Sequence, residues 1–225
     1  MNKQIISGII IVIIIAGVFI GFSVWQNQQI QAQKQANLIQ EIDRNLTEED
    51  IQIYQDRLIE AEKYIVEATN DQDKHDALIY KAVILQGLGK LAQARDVFLE
   101  AAELVPENYN VFVHLYQVYL EMNDYEQAEK SIQKSLELQP NNPDAWKKYI
   151  ILERERFDRQ QSEIRKLYLE AEEKTKPNTD ILTDYATYLE SIGDTDTAIE
   201  YWRKAQKAQP EDYEIYNAEI KRLEK

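Results

Sequence analysis

The side chains that most often do chemistry are scarce in this sequence and poorly spaced for it. Its two histidines, His75 and His114, lie far apart in the chain, whereas metal ligation and acid–base catalysis need several such groups converging. There is no cysteine, which removes disulfides, thiolate metal sites and cysteine nucleophiles. Asp71, Asp73, His75 and Asp76 have the carboxylate density of a calcium loop but lack its turn glycine and distal bidentate glutamate. They read as a solvated loop at a helix start. Of six glycines, three fall in the first 25 residues and none forms a phosphate-cradling motif. Tyr116, Tyr119, Tyr185 and Tyr188 recur at helical spacing and read as packing between helices. The expectation is no cofactor, no metal site and no enzyme.

If the residues do no chemistry, the elements that carry them must explain the chain. The formal net charge is −14 and apolar residues make up 44%. So acidic a balance opposes binding to nucleic acid, whose readers carry basic stripes that release counterions. The apolar content is uneven. From Ile5 to Trp25 there is no charged residue, and Ile9 to Ile15 is unbroken aliphatic sequence. About 20 helical residues span the roughly 30 Å hydrocarbon core of a bilayer, so residues 1–26 are expected to form a single-pass membrane anchor. A cleaved signal peptide fits less well, because its apolar core is only about 7–15 residues long. Trp25 suits an interfacial anchor, and Gln26 to Gln29 return the chain to water. Lys3 before the span, with Lys34 the first basic residue after it, favours an extracytoplasmic location for everything that follows. Gly17 and Gly21 stand in the GxxxG spacing that lets membrane helices approach closely, a candidate self-association contact.

Residues 27–46 read as a helical stem, glutamine-rich at first. Thr47, followed by Glu48, Glu49 and Asp50, then supplies an N-cap with acids in the first turn. The helix it opens carries Ile51, Tyr54, Leu58, Ala61, Ile65 and Ala68 on one stripe. Residues 47–74 are thus a packing helix or a degenerate first repeat.

Beyond it the sequence repeats itself. Pro106 and Pro140 lie 34 residues apart. Ala94, Phe98 and Ala101 precede the first as Ala128, Ile132 and Ser135 precede the second; Ala198, Trp202 and Ala205 stand likewise before Pro210. Leu78, Ala82 and Leu85, then Phe112, Tyr116 and Tyr119, then Leu182, Ala186 and Leu189 occupy equivalent places upstream. Between the halves stand Gly89, Asn123 and Gly193, residue types that tolerate the left-handed backbone closing a helix. Each unit is therefore two short amphipathic helices, and each pair must stack on neighbours to cover its apolar face.

This pattern resembles the tetratricopeptide repeat family, in units at about 75–108, 109–141, 142–178 and 179–210. The third unit departs from it: Tyr168, Ala171 and Pro177 arrive late, which places a small insertion between Glu153 and Arg165. Residues 211–225 read as a polar-backed capping helix with Tyr216, Ile220 and Leu223 inward. The resemblance implies an all-α fold, a right-handed superhelix of helical hairpins behind one N-terminal transmembrane helix. It also implies a concave groove lined by the first helices of successive units: Ile79, Val83 and Gln86; Val113, Gln117 and Leu120; Lys147 and Ile151; Thr183 and Thr187. These would hold other proteins or peptide segments. Because Lys147 and Lys148 alone are basic there, the expected ligand has apolar anchors rather than an acidic tail. A membrane-tethered scaffold or adaptor, plausible in assembly, export or folding of envelope proteins, is the leading reading. A structural protein that assembles into homo-oligomers or an array is the alternative.

Overall fold

The computed structural model describes residues 24–26, 38–157 and 159–225. It divides into compact units at residues 1–39 and 40–225. The expected membrane span, with Gly17 and Gly21, lies outside the described residues except for 24–26, which are helical. Among the described residues no helix is long and apolar enough to cross a membrane, and there is no β-strand.

The second unit opens with a departure from expectation. Residues 40–46, the end of the expected helical stem, contain no helix, and residues 27–37 of that stem lie outside the described residues. Their polar groups are satisfied elsewhere: the Ile42 amide donates to the Gly89 carbonyl (2.9 Å) and the Gln40 carbonyl accepts from Ala92 N–H (3.0 Å). Backbone groups paired across the sequence cannot also close a local helix.

Helix α1 (Glu48–Glu67) follows, held by a full capping box between Thr47 and Asp50. The hydrogen bonds from Thr47 hold the Asp50 carboxyl below the usual carboxylate range. Its stripe faces the next helix as the periodicity predicts: Ala61 is fully buried, Tyr54, Leu58 and Ile65 are half-buried, and Ile51 remains exposed.

Eight helices then pair into four hairpins: α2 (Asp71–Gly87) with α3 (Leu91–Leu104), α4 (Tyr109–Glu121) with α5 (Tyr125–Leu138), α6 (Pro143–Arg156) with α7 (Gln161–Thr175), and α8 (Thr179–Ser191) with α9 (Thr195–Ala208). A short 3-10 turn and α10 (Tyr213–Leu223) close the array. Each first helix is capped by an asparagine side chain, Asn70, Asn108, Asn142 and Asn178 in turn. Turn chemistry matches the repeat: Gly89, Asn123 and Gly193 have φ of 77°, 61° and 80°, and each is followed by an amide that donates back into the preceding helix.

One expectation is corrected at the first hairpin. Asp71, Asp73, His75 and Asp76 form no solvated loop but the first turns of α2, which begins behind its Asn70 cap. His75 is fully buried. Its Nδ1 lies 2.8 Å from the Ala101 carbonyl and its Nε2 lies 2.7 Å from the Asn108 amide. A carbonyl only accepts, so Nδ1 carries the proton and Nε2 accepts from Asn108. The ring therefore clasps α2 to the end of α3 and to the cap of α4.

The small positions of the repeat are where helices meet. Ala82, Ala94, Ala101, Ala128, Ala171, Ala186, Ala198 and Ala205 are all fully buried, as are Phe98, Ile132 and Tyr168 beside them. Ser135 occupies the same place as Ala101 and Ala205, and its hydroxyl is buried with no hydrogen-bond partner. A buried unsatisfied hydroxyl costs about 1–3 kcal/mol. Ser135→Ala is therefore expected to stabilise the chain by about 1 kcal/mol in denaturant unfolding.

The third hairpin carries the inferred insertion. From the start of α6 to the start of α8 is 36 residues (179 − 143), against 34 (143 − 109) for the unit before. The extra chain lies in the connection before α7, whose first turn is closed by a capping box between Gln160 and Glu163. At the far end α10 buries Tyr216 and Ile220, stacks Tyr216 on Trp202 at 6.1 Å and turns Lys221, Arg222 and Lys225 to solvent.

Candidate binding surface

The residues assigned to the groove all lie on the first helices of their hairpins: Ile79, Val83 and Gln86 on α2, Val113, Gln117 and Leu120 on α4, Lys147 and Ile151 on α6, Thr183 and Thr187 on α8. None is buried. Val83, Gln117 and Thr187 are exposed and the others half-buried. First helix meets first helix along the array: Gln86 on α2 bonds Glu121 on α4, Tyr116 on α4 bonds the Lys148 carbonyl on α6, and α6 touches α8 directly, so these positions follow one another along a row.

Several of them are already engaged. The Gln86 side chain donates to Glu121 (2.6 Å). Arg44, from the extended segment, donates to the Gln86 carbonyl (3.1 Å) and pairs with the same Glu121 carboxylate. The Thr187 hydroxyl donates to the Thr183 carbonyl (2.9 Å) and that of Thr183 to Asp180 (3.3 Å), so both are satisfied within α8. Lys148 is held by Asp144 at 2.6 Å, and this reduces the positive charge at the middle of the row. The apolar members, Ile79, Val83, Val113, Leu120 and Ile151, keep their side chains at least partly open to water.

The tyrosines pack as the periodicity suggests. Tyr168 stacks on Tyr185 with ring centroids 4.4 Å apart and on Tyr188 at 5.4 Å, and Tyr201 meets Tyr185 edge-on at 4.5 Å. Burial pushes the Tyr168 phenol up strongly, helped by the charge of Asp184, which accepts its hydrogen bond at 2.6 Å. Tyr116 is buried, donates to the Lys148 carbonyl (3.2 Å) and is pushed up to about 12 by desolvation. His114 lies flat on Phe98 at 5.1 Å, and burial lowers its basicity. Each of these groups joins neighbouring helices. Among the described residues, no three histidine or carboxylate side chains come together as a metal site would need.

A polar cluster that the sequence did not signal sits where α5, α6 and the third hairpin's insertion meet. Glu153 is buried, with one oxygen unpaired and the other accepting from Arg159 at 2.6 Å. Arg159 also reaches Glu129 (3.7 Å), which with Tyr149 accepts from Gln133. Desolvation first, and the Glu153 charge second, raise the Glu129 carboxyl above its usual range. A carboxyl raised in the folded state binds its proton more tightly there than in the unfolded chain. Its contribution is therefore present at acid pH and lost as pH rises through the folded value. Glu129→Gln is expected to remove that loss, so that the stability of the variant and of the parent converge below about pH 4 and diverge in favour of the variant above it.

A tetratricopeptide-repeat model matches residues 85–149 and a second matches residues 179–212. These two stretches are tetratricopeptide repeats. No curated protein matches the chain's sequence. Solved structures of similar fold include MamA (TM-score 0.57, 13% identity, 77% of this chain and 98% of that one). YrrB, described as a TPR protein with an unusual peptide-binding site, matches with TM-score 0.50 and 19% identity over 67% and 75% of the two chains. Yeast Tom70 matches with TM-score 0.51 and 22% identity over 63% of this chain but only 30% of its own length. At these identities the likeness is one of fold, an all-helical repeat solenoid.

Proposed function

We propose that this tetratricopeptide-repeat protein is a membrane-tethered scaffold, on the extracytoplasmic side, that holds polypeptide segments along the first helices of its four hairpins. The observation that carries the reading is the row of Ile79, Val83, Val113, Leu120 and Ile151, aliphatic side chains left partly open to water on successive first helices. Apolar side chains are ordinarily covered, and a periodic row of them fits a ligand with apolar anchors. The uncharged run from Ile5 to Trp25 supports the tether, which would raise the effective concentration of the row toward membrane-bound clients. YrrB supports peptide binding by analogy of fold. The fold class itself is that of interaction scaffolds rather than catalysts.

A photo-crosslinker placed at Ile151 in native membranes tests this. Discrete heterologous adducts, lost when Ile79 and Val113 are both replaced by glutamate, are expected. Adducts containing only the chain itself would favour self-assembly instead, and capture of an acidic-tail peptide that depends on Lys147 would contradict the apolar-anchor reading.

A further inference from the structure

Helix α1 packs on α2 as the second helix of a hairpin would, yet among the described residues no first helix precedes it; residues 38–47 run instead to the α2–α3 turn. Where that partner would lie, two clefts of about 530 and 360 Å³ run end to end along the α1–α2 seam and share Tyr80 as a wall. Between their charged walls they carry apolar surface that is part open: Tyr64 is 44% exposed and Val83 42%, and the Tyr54 ring lies against Gly87, where a side chain would collide with it. We propose that this seam docks an amphipathic helix of a partner protein, lying parallel to α2.

Charge fixes the direction and the class of partner. The cleft beside the start of α2 is lined by Glu60, Glu67, Asp73 and Asp76, and only Glu67 has a lysine near it, Lys63 at 3.8 Å. The cleft beside the end of α2 is lined by Arg57 and by Arg44, which is paired with Glu121. A docked helix parallel to α2 sets its positive N-terminal dipole against the carboxylates and its negative C-terminus against the arginines. The same orientation makes it antiparallel to α1, as each first helix is to the second helix of its own hairpin. The carboxylates further select a helix with basic residues in its first turn and acids in its last. This inverts the usual helical charge pattern, and it argues against a second copy of this chain. Most of its own helices open with acids, at Glu48, Asp71, Asp144, Asp180 and Asp196 among others; α3 and α4 do not, and both are packed within the array. The seam meets the row proposed above to hold extended segments only at Val83 and Gln86; its other walls belong to α1, to Arg44 and to the face of α2 turned toward it.

The test uses the full chain in nanodiscs of uncharged lipid and two labelled amphipathic peptides, each as long as α2 (17 residues). They share a leucine stripe and overall composition. One has lysines in its first turn and glutamates in its last, and the other has these exchanged. Fluorescence anisotropy is expected to show the first binding about tenfold tighter. The double variant Glu67→Lys with Asp76→Lys, at two exposed positions, should abolish or invert the preference, and Ile151→Glu on α6 should leave it intact. Equal binding of the two peptides, no binding of either, or loss in Ile151→Glu but not in the charge-reversed variant would overturn the proposal. Only the last of these outcomes speaks for the row on the first helices, so the two sites fail separately.

Discussion

Tyr168→Ala is expected to lower stability by about 3–5 kcal/mol, the range for deleting a large buried aromatic side chain, and to depress the melting temperature by roughly 10 °C in a chain of this size. Tyr168 is fully buried at the seam between α7 and α8. It stacks on Tyr185 and Tyr188 at 4.4 and 5.4 Å, and such pairs add about 0.5–1.5 kcal/mol beyond area burial. Its hydroxyl donates to Asp184 (2.6 Å) and accepts from Arg154 (3.2 Å), so truncation also strands a carboxylate and a guanidinium. Tyr168→Phe separates the two contributions. It keeps the stacks and loses only the hydroxyl, at about 1–2 kcal/mol. Because a solenoid transmits stability through neighbouring interfaces, the alanine variant should also lose protection from amide exchange in α8 and α9 before α4 and α5. A melting temperature within a degree or two of the parent would show that the tyrosine stack does not couple the third and fourth hairpins.

Gly89→Ala should cost about 2–3 kcal/mol, and Gly193→Ala only about 1 kcal/mol, although the two glycines share one repeat position. Both have left-handed backbones, with φ of 77° and 80°, and a side chain there costs roughly 1 kcal/mol. Their surroundings differ. A Cβ at Gly89 would run into the Ile42 carbonyl, whereas one at Gly193 meets nothing. Alanine at 89 must therefore push residues 38–47 off the α2–α3 turn, breaking the Ile42 to Gly89 and Ala92 to Gln40 hydrogen bonds, each worth about 0.5–1.5 kcal/mol. Amide exchange of Ile42 and Ala92 should accelerate in Gly89→Ala and stay unchanged in Gly193→Ala. Equal costs for the two substitutions would mean that the extended segment contributes nothing to the fold.

Much of this architecture was legible in the residues because its rules are local. Periodic apolar spacing, alanines at close-approach positions, Gly or Asn at the hairpin turns and proline after the second helix each specify backbone geometry within a few residues. The hairpins, the inward stripe of α1 and the terminal cap followed from these. The asparagine caps Asn108, Asn142 and Asn178 recur at about the repeat spacing, 34 and then 36 residues apart, and so mark the hairpin starts in the sequence. The tyrosines read as packing, and Tyr185 and Tyr188 pack against Tyr168.

What sequence spacing missed depended on partners far along the chain. Residues 40–46 carry no mark that distinguishes a helical stem from an extended segment; the Gly89 turn, more than 40 residues on, supplies the hydrogen bonds that decide it. His75 read as part of a solvated loop because its burial depends on Ala101 and Asn108, which give the ring its two partners from far along the chain. Glu153 looked like one more surface charge until the third hairpin's insertion brought Arg159 to it. The sequence by itself determined that the chain is a stack of helical hairpins following an apolar N-terminal run, because helix periodicity, turn chemistry and apolar run length are properties of neighbouring residues. The tertiary structure alone decided which groove positions stay open and which are engaged, and that among the described residues a seam along α1 and α2 stays open with opposite charges at its ends. Those are properties of surfaces, made only when distant residues share a boundary.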